Sequence, residues 1–326
     1  MNKKTIDSVI EALRNSKKVL ITAHIDPDGD SLGSQLAMND YLESLGKETR
    51  IYDDGAIPSR YLFLEGIEKV FTDPAGYDFD PDLVVVLETT QIERTGYVAG
   101  LIKPGTKIMN IDHHPGNTLY GDIPLIDEQA SSVGEIVYKI LKQAGYTLSK
   151  ATAEKIFTAI LTDTGRFHFS STTPDSLRIA AELLEAGVEP REITDNIYFS
   201  MNQRQLLVIG GLISTSEMAV DGKVCALTLT RKMLHEQNLE FSDFEGVVEF
   251  AMRLRDVSIG VLFKDTADDR TKISLRSRST VDVSQLAKRF GGGGHFNAAG
   301  ATINEPLDNA KAIFFKYAEE LLNHHE

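Results

Sequence analysis

The chain has 326 residues, 42% hydrophobic and 25% charged, which is enough for two domains with separate cores. Its formal net charge of −14 argues against a protein that tracks long DNA or RNA, which needs a basic footprint. No apolar stretch approaches the roughly 18–20 residues of a membrane span, and the first seven residues lack the apolar core of a signal peptide. The single cysteine, Cys225, rules out an internal disulfide framework, suits a reducing cytoplasm, and reads as a packed residue within an apolar run.

Residues 4–15 read as an amphipathic helix with Ile6, Val9, Ile10 and Leu13 on one face. A compact strand follows from Lys18 to His24 and is broken by the loop to Asp30, which contains Pro27 and Gly29. A helix is expected from about Ser31 to Leu45, capped by Ser31, with Leu32, Leu36, Tyr41 and Leu45 toward the core. Lys47 to Tyr52 reads as a second strand. Leu83 to Leu87 is an apolar, β-branched run of the kind found in parallel strands buried on both faces. Another such run, Thr106 to Ile111, ends in Asp112-His113-His114-Pro115, and helices are expected at 131–145 and 151–162. Strands alternating with helices imply a doubly wound, mainly parallel α/β domain over residues 1–186, with ligands bound beyond the carboxyl ends of the strands.

Helical patterns continue at 174–186, 189–198 and 203–212, and residues 187–214 read as a helical connector. From 215 to 326 the texture is that of a second, smaller α/β domain. Its expected strands are 224–229, 257–263 and 273–276, and its expected helices are 244–254, 283–290 and about 307–322. A glycine run, Gly291 to Gly294, precedes His295. Between Phe250 and His295 nine Lys and Arg face five Asp, a basic patch suited to a small anionic substrate. His324 and His325 read as a solvated tail.

Metal-ligand residue types recur at the strand ends. His24, Asp28 and Asp30 share one loop in an H-x-x-x-D-x-D spacing, Glu88 ends the next strand, His113 follows another, and Asp163 sits where a helix breaks at Thr164-Gly165. Two imidazoles and four carboxylates without sulfur favour Mn(II), with Mg(II) as the alternative, over structural zinc. Six ligands exceed the needs of one open site. They suit two bridged ions holding a hydroxide for in-line attack on phosphorus.

In this order the motifs resemble the DHH phosphoesterase superfamily, named for the Asp-His-His seen here at 112–114. The Gly292-Gly293-Gly294-His295 run is similar to the signature of the DHH-associated C-terminal domain. The length and layout look most like the nanoRNase group, whose members degrade very short oligonucleotides and dephosphorylate 3′-phosphoadenosine 5′-phosphate. The resemblance implies that His24 and Asp28 hold one ion, that Asp30, His113 and Asp163 hold the other, and that residue 88 bridges them. It further implies that Asp112 orients the neighbouring imidazoles and that His114 contacts the scissile phosphate or assists proton transfer. Gly293, Gly294 and His295 would grip the far end of the substrate, while Arg276, Arg278 and Arg253 would bind phosphate. The implied setting is cytoplasmic, with a short oligonucleotide or nucleotide substrate, no long duplex, no membrane, and a chain able to form a homodimer.

One residue departs from the pattern: the family's second motif carries Asp where this chain has Glu88. A variant site with repositioned ions, a weakened enzyme and a nucleotide-binding protein are three readings of that change. A phosphodiesterase for cyclic or linear signalling dinucleotides is a further reading that uses the same chemistry. Glu93 could supply a carboxylate instead, but it sits a helical turn beyond the strand end and reads as surface.

Overall fold

Six parallel strands organise the N-terminal part: β1 (Lys18–Thr22), β2 (Glu48–Tyr52), β3 (Val70–Phe71), β4 (Leu83–Leu87), β5 (Lys107–Asp112) and β6 (Ile123–Ile126), in the order β3-β2-β1-β4-β5-β6. The computed structural model describes residues 3–244, 246–266, 269–278 and 280–323; His324 and His325 lie outside them. Alternate residues of the central strands enter different cores. Val19 and Ile21 of β1 and Leu83, Val85 and Leu87 of β4 pack on one face, and Leu20, Val84 and Val86 on the other. A strand covered on both sides has no polar face to present, which is why Leu83 to Leu87 reads as an unbroken apolar run.

Around this sheet lie α1 (Lys3–Asn15), α2 (Gly29–Ser44), α3 (Val133–Gln143), α4 (Lys150–Asp163), α5 (Pro174–Glu185) and α6 (Pro190–Tyr198). The start of α2 differs from the sequence expectation. Asp28, not Ser31, is the cap: its carboxylate accepts from the Ser31 amide at 3.0 Å, and the Ser31 hydroxyl accepts in return from the Asp28 amide at 2.8 Å. The two residues form a reciprocal capping box, which a single-residue reading of Ser31 splits in half. Leu32, Leu36 and Tyr41 are buried as expected, whereas Leu45, at the helix end, is exposed.

Helices α2 and α4 approach closely because α2 carries glycine at their crossing. A Cβ at Gly33 would lie 2.3 Å from the Lys155 carbonyl oxygen, a backbone atom that cannot turn aside. Gly33→Ala is therefore expected to force the helices apart and lower stability by about 1–3 kcal/mol, measurable as a lower midpoint in urea unfolding. The same crossing buries Lys155, whose ammonium reaches both Asp40 oxygens at 2.7 and 2.6 Å.

The chain divides into two compact units at Ser200 and Met201. The division falls within the stretch expected as a connector, and its helices separate accordingly. Ile193 and Ile197 of α6 join the first core, while Val208, Ile209 and Leu212 of α7 (Gln203–Ser214) join a core of the second unit.

The second unit is built on a sheet of β7 (Glu217–Ala219), β8 (Val224–Leu229), β9 (Ile259–Asp265), β10 (Thr271–Ser277), β11 (Gly293–His295) and β12 (Ala298–Ile303), in the order β11-β12-β10-β9-β8-β7. Only β8 and β9 pair in parallel; the remaining neighbours are antiparallel. The short α8 (Arg231–His235), α9 (Val283–Arg289) and α10 (Leu307–Asn323) complete it. Cys225 is buried in β8. The helix expected at 244–254 is a 3-10 segment, Val247–Arg253, entered through Gly246 in a left-handed conformation. The end of the glycine run, Gly293 and Gly294, pairs with His295 as β11 in a hairpin with β12. Among the described residues no helix is long and apolar enough to cross a membrane.

Candidate metal centre

In the first sheet β1 pairs with β2 on one side and β4 on the other, so the chain reverses its direction of sheet growth between β1 and β4. Such a switch point opens a crevice at the carboxyl ends of the strands. His24 lies just beyond β1, Glu88 directly follows β4, and Asp112 is the last residue of β5. Asp28 and Asp30 sit at the N-terminus of α2, and Asp163 is the last residue of α4.

These side chains converge in two sets. Oxygen and nitrogen atoms of His24, Asp28 and Glu88 lie within 4.8 Å of one another, as do those of Asp30, Glu88, His113 and Asp163. Glu88 belongs to both. Its Oε2 lies 3.3 Å from His24 Nε2, and His113 Nε2 lies 3.3 Å from Asp163 Oδ2 and 3.9 Å from Asp30 Oδ2. Glu93, by contrast, is exposed on the following 3-10 segment, Ile92–Leu101.

Each histidine is turned by a hydrogen bond at Nδ1. That of His24 meets the Ile25 carbonyl at 2.8 Å, that of His113 the Ala130 carbonyl at 3.1 Å, and that of His114 the Asp112 carboxylate at 2.8 Å. These oxygens only accept, so Nδ1 donates and a neutral ring carries its lone pair on Nε2. Such second-sphere bonds fix tautomer and ring angle together. Asp112 orients the ring of His114 as expected. It accepts from the His113 backbone amide at 2.8 Å, while the Ala130 carbonyl takes Nδ1 of that ring.

Asp30 is fully buried, and its carboxylate accepts from the amides of Val133 and Gly134 at the N-terminus of α3 and from the Ser34 hydroxyl. Two helix N-termini thus meet at one carboxylate, which favours negative charge there. Burial and the charge of Asp163 nevertheless push Asp30 up to about 7. Burial, then the charges of Asp28 and Asp30, raise Glu88 well above the carboxylate range. Burial opposes protonation of His113, but Asp163 and Asp30 prevail and raise it. Asp28 is lowered, because the charge of His24 and the Ser31 bonds outweigh its burial. For Asp112, the His114 bond and charge and the Asn117 bond outweigh burial and bring it down to about 2.

Four carboxylates gathered around two imidazoles suit a cation. Glu88 Oε2 supports that fit: it is buried and has no hydrogen-bond partner among the described residues. An oxygen so placed costs free energy unless a ligand meets it.

Residues 18–162 match the N-terminal domain of the DHH family, and residues 221–323 match the DHHA1 domain. Over 285 residues the chain is 32% identical to the bifunctional oligoribonuclease and PAP phosphatase NrnA of Thermus thermophilus, an alignment spanning 87% of this chain and 84% of that protein. The chain belongs to the DHH family. This DHH-family chain is also 28% identical, over 87% of its length and 89% of the relative's, to the protein of the same name from Bacillus subtilis. The crystal structure of an exopolyphosphatase-related protein from Bacteroides fragilis superposes with a TM-score of 0.88 at 25% identity, covering 98% of this chain and 96% of that one.

The second unit of this DHH-family chain carries the remaining candidate residues. Arg276 pairs with Ala298, and Ala298 pairs with His295. Residues opposite each other in an antiparallel ladder project to the same face, so Arg276 and His295 share one. Glycine is needed beside them: a Cβ at Gly292 would stand 2.1 Å from the Gly300 carbonyl oxygen, and Gly294 has φ +138°. Gly293 lies opposite Gly300 in the same hairpin. Arg253 stacks on Phe250 at 4.8 Å. The two terminal nitrogens of Arg278 bind the Arg255 and Met252 carbonyls and tie down the end of the 3-10 segment.

Sequence reasoning missed several supporting residues. The amides of Val133 and Gly134 and the carbonyl of Ala130 are backbone groups and carry no side-chain signal. Asp53, buried at the end of β2, accepts from the Ala23 amide at 3.1 Å and from Gln35 at 2.9 Å. It thereby ends β1 at Thr22, two residues before His24. Its only visible cue is a carboxylate following a strand.

Proposed function

We propose that this protein is a phosphohydrolase dependent on two divalent cations, Mn(II) with Mg(II) as the alternative, that cleaves di- to oligoribonucleotides and removes the phosphomonoester of 3′-phosphoadenosine 5′-phosphate. The observation that carries this reading is Glu88, one buried carboxylate common to both donor sets at the switch point of the sheet. His24 and Asp28 would hold one ion and Asp30, His113 and Asp163 the other, with Glu88 common to the two donor sets. Ions bound there supply positive charge against the negative charge that gathers on the phosphoryl oxygens.

The remaining work falls to the chain. His114 is partly exposed, and with Nδ1 held by Asp112 its Nε2 is the ring atom left to contact the scissile phosphate or pass a proton to the leaving oxygen. In the second unit Arg276, Arg278, His295 and Arg253, with the backbone of Gly293 and Gly294, are assigned to nucleotide binding. A guanidinium suits a further phosphate and a hairpin amide a sugar or base edge. The relatives NrnA, named for oligoribonuclease and PAP phosphatase activity, support the substrate class, and the buried lone Cys225 suits the cytoplasm.

The test is hydrolysis of a two-nucleotide RNA and of 3′-phosphoadenosine 5′-phosphate by the purified full chain. Products are expected with Mn(II) and not with chelator. Equal, negligible turnover under both conditions would sink the reading.

A further inference from the structure

The segment after His114 does more than leave the strand. Residues 117–120 fold back over the turn that carries Glu88. The Thr118 amide and hydroxyl both reach the Thr90 carbonyl, at 3.2 and 3.0 Å. The Thr89 carbonyl accepts from three side chains, Asn110, Asn117 and Tyr120, each at 3.2 Å. Glu88 itself has φ +55°, a left-handed conformation that residues with a Cβ seldom adopt. Its amide donates to the Ile111 carbonyl at 3.0 Å. The Glu88 backbone is thus pinned on one side by the strand ladder and on the other by this clasp.

One side chain links the clasp to the Asp-His-His motif. Asn117 Nδ2 lies 2.7 Å from Asp112 Oδ2, 2.9 Å from Asn110 Oδ1 and 3.2 Å from the Thr89 carbonyl oxygen. Its Oδ1 accepts from the Leu119 amide at 2.7 Å, which settles the orientation of the amide group. One Nδ2 hydrogen serves the Asp112 carboxylate in a charge-assisted bond, and the other is shared between Asn110 and Thr89. The opposite oxygen of Asp112 holds the His114 ring.

We propose that Asn117 is a positioning residue that couples the backbone turn presenting Glu88 to the Asp112–His114 pair. Through Thr89 it sets where the shared carboxylate stands, and through Asp112 it sets where the His114 ring points. Glu88 and His114 are then held in one register by a residue that touches neither. The proposal rests on the metal-dependent reading above for its account of what that register serves.

Asn117→Ala in the full chain tests it with three readouts: Mn(II) affinity by calorimetry on metal-stripped protein, kcat and KM on a two-nucleotide RNA, and thermal unfolding in chelator. Loss of an outer ligand-orienting partner is expected to lower Mn(II) affinity and kcat by about 10–100-fold, while KM stays within about twofold because no substrate contact is lost. A lower unfolding temperature with Mn(II) affinity and kcat both at wild-type level would mark Asn117 as merely structural and overturn the proposal. Should the alanine variant not fold, Asn117→Asp decides on the same readouts. It keeps the shape and the acceptor for Leu119 but removes both donors, and wild-type values there would equally overturn the assignment. Wild-type protein that binds Mn(II) yet hydrolyses neither substrate would fail the functional reading alone, because the calorimetric arm still separates coupling from structure.

Discussion

Glu88→Asp is expected to lower Mn(II) affinity and turnover together, by about 10–100-fold, although it restores the residue usual at this position of the family. The substitution shortens the side chain by one carbon–carbon bond, about 1.5 Å. The carboxylate cannot recover that distance by moving its backbone, because Glu88 is fixed between the Ile111 carbonyl and the clasp on Thr89. Holding a residue with a Cβ in the left-handed region costs roughly 1–2 kcal/mol, and Asp tolerates that region better than Glu, so the substitution leaves the backbone in place and the loss falls on the position of the carboxylate. Calorimetry with Mn(II) and steady-state rates on a two-nucleotide RNA read the result. A tenfold gain in turnover would instead identify the native site as impaired and revive the reading of a protein turned to nucleotide binding.

Asp163→Asn should separate stability from function in opposite directions. In chelator the variant is expected to be more stable than wild type, by about 0.5–2 kcal/mol, the usual size of a favourable substitution. Asp163 ends α4, where the helix dipole opposes a negative charge, and it faces the buried Asp30 and Glu88 in the same donor set. Removing its charge relieves both, and the relief is expected to outweigh the loss of its 3.3 Å contact with His113. With Mn(II) the order reverses. Wild type gains about 2.7 kcal/mol when the ion is at a hundredfold its dissociation constant, whereas the variant loses most of that gain and about 100-fold or more in turnover. Thermal unfolding with and without the ion measures both halves. A full Mn(II)-dependent shift in the variant would remove Asp163 from the donor set.

What could be read in advance, and what could not, follows from where the chemistry resides. His24, Asp28, Asp30, His113 and Asp163 were legible because imidazoles and carboxylates at strand and helix ends announce themselves by type and position. The partner that turns His113 is a carbonyl, Ala130, 17 residues away, and no pattern in side chains encodes it. Asp28 illustrates a different difficulty. It caps α2 and joins a donor set at once, and the second role conceals the first, so that Ser31 reads as the cap. The strand formed by the end of the glycine run was not legible, because its pairing partner, β12, lies beyond it and sequence alone does not show the closure. The contacts of Arg278 were equally hidden, because the carbonyls it binds belong to residues 252 and 255 and carry no side-chain signal. The fold class survives such local errors since it depends on the alternation of elements, whereas the site depends on individual atoms.

The pairing of β1 with β4 has a temporal side. Val19 meets Leu83 across more than sixty intervening residues, and parallel contacts of such separation form slowly, after local helices and turns. Glu88 and His24 become neighbours only when that pairing is complete, so an unfolded or half-folded chain offers an ion no assembled set of donors. A divalent cation held there would therefore act as a latch rather than a seed, leaving the rate of folding almost untouched and holding the finished protein against opening.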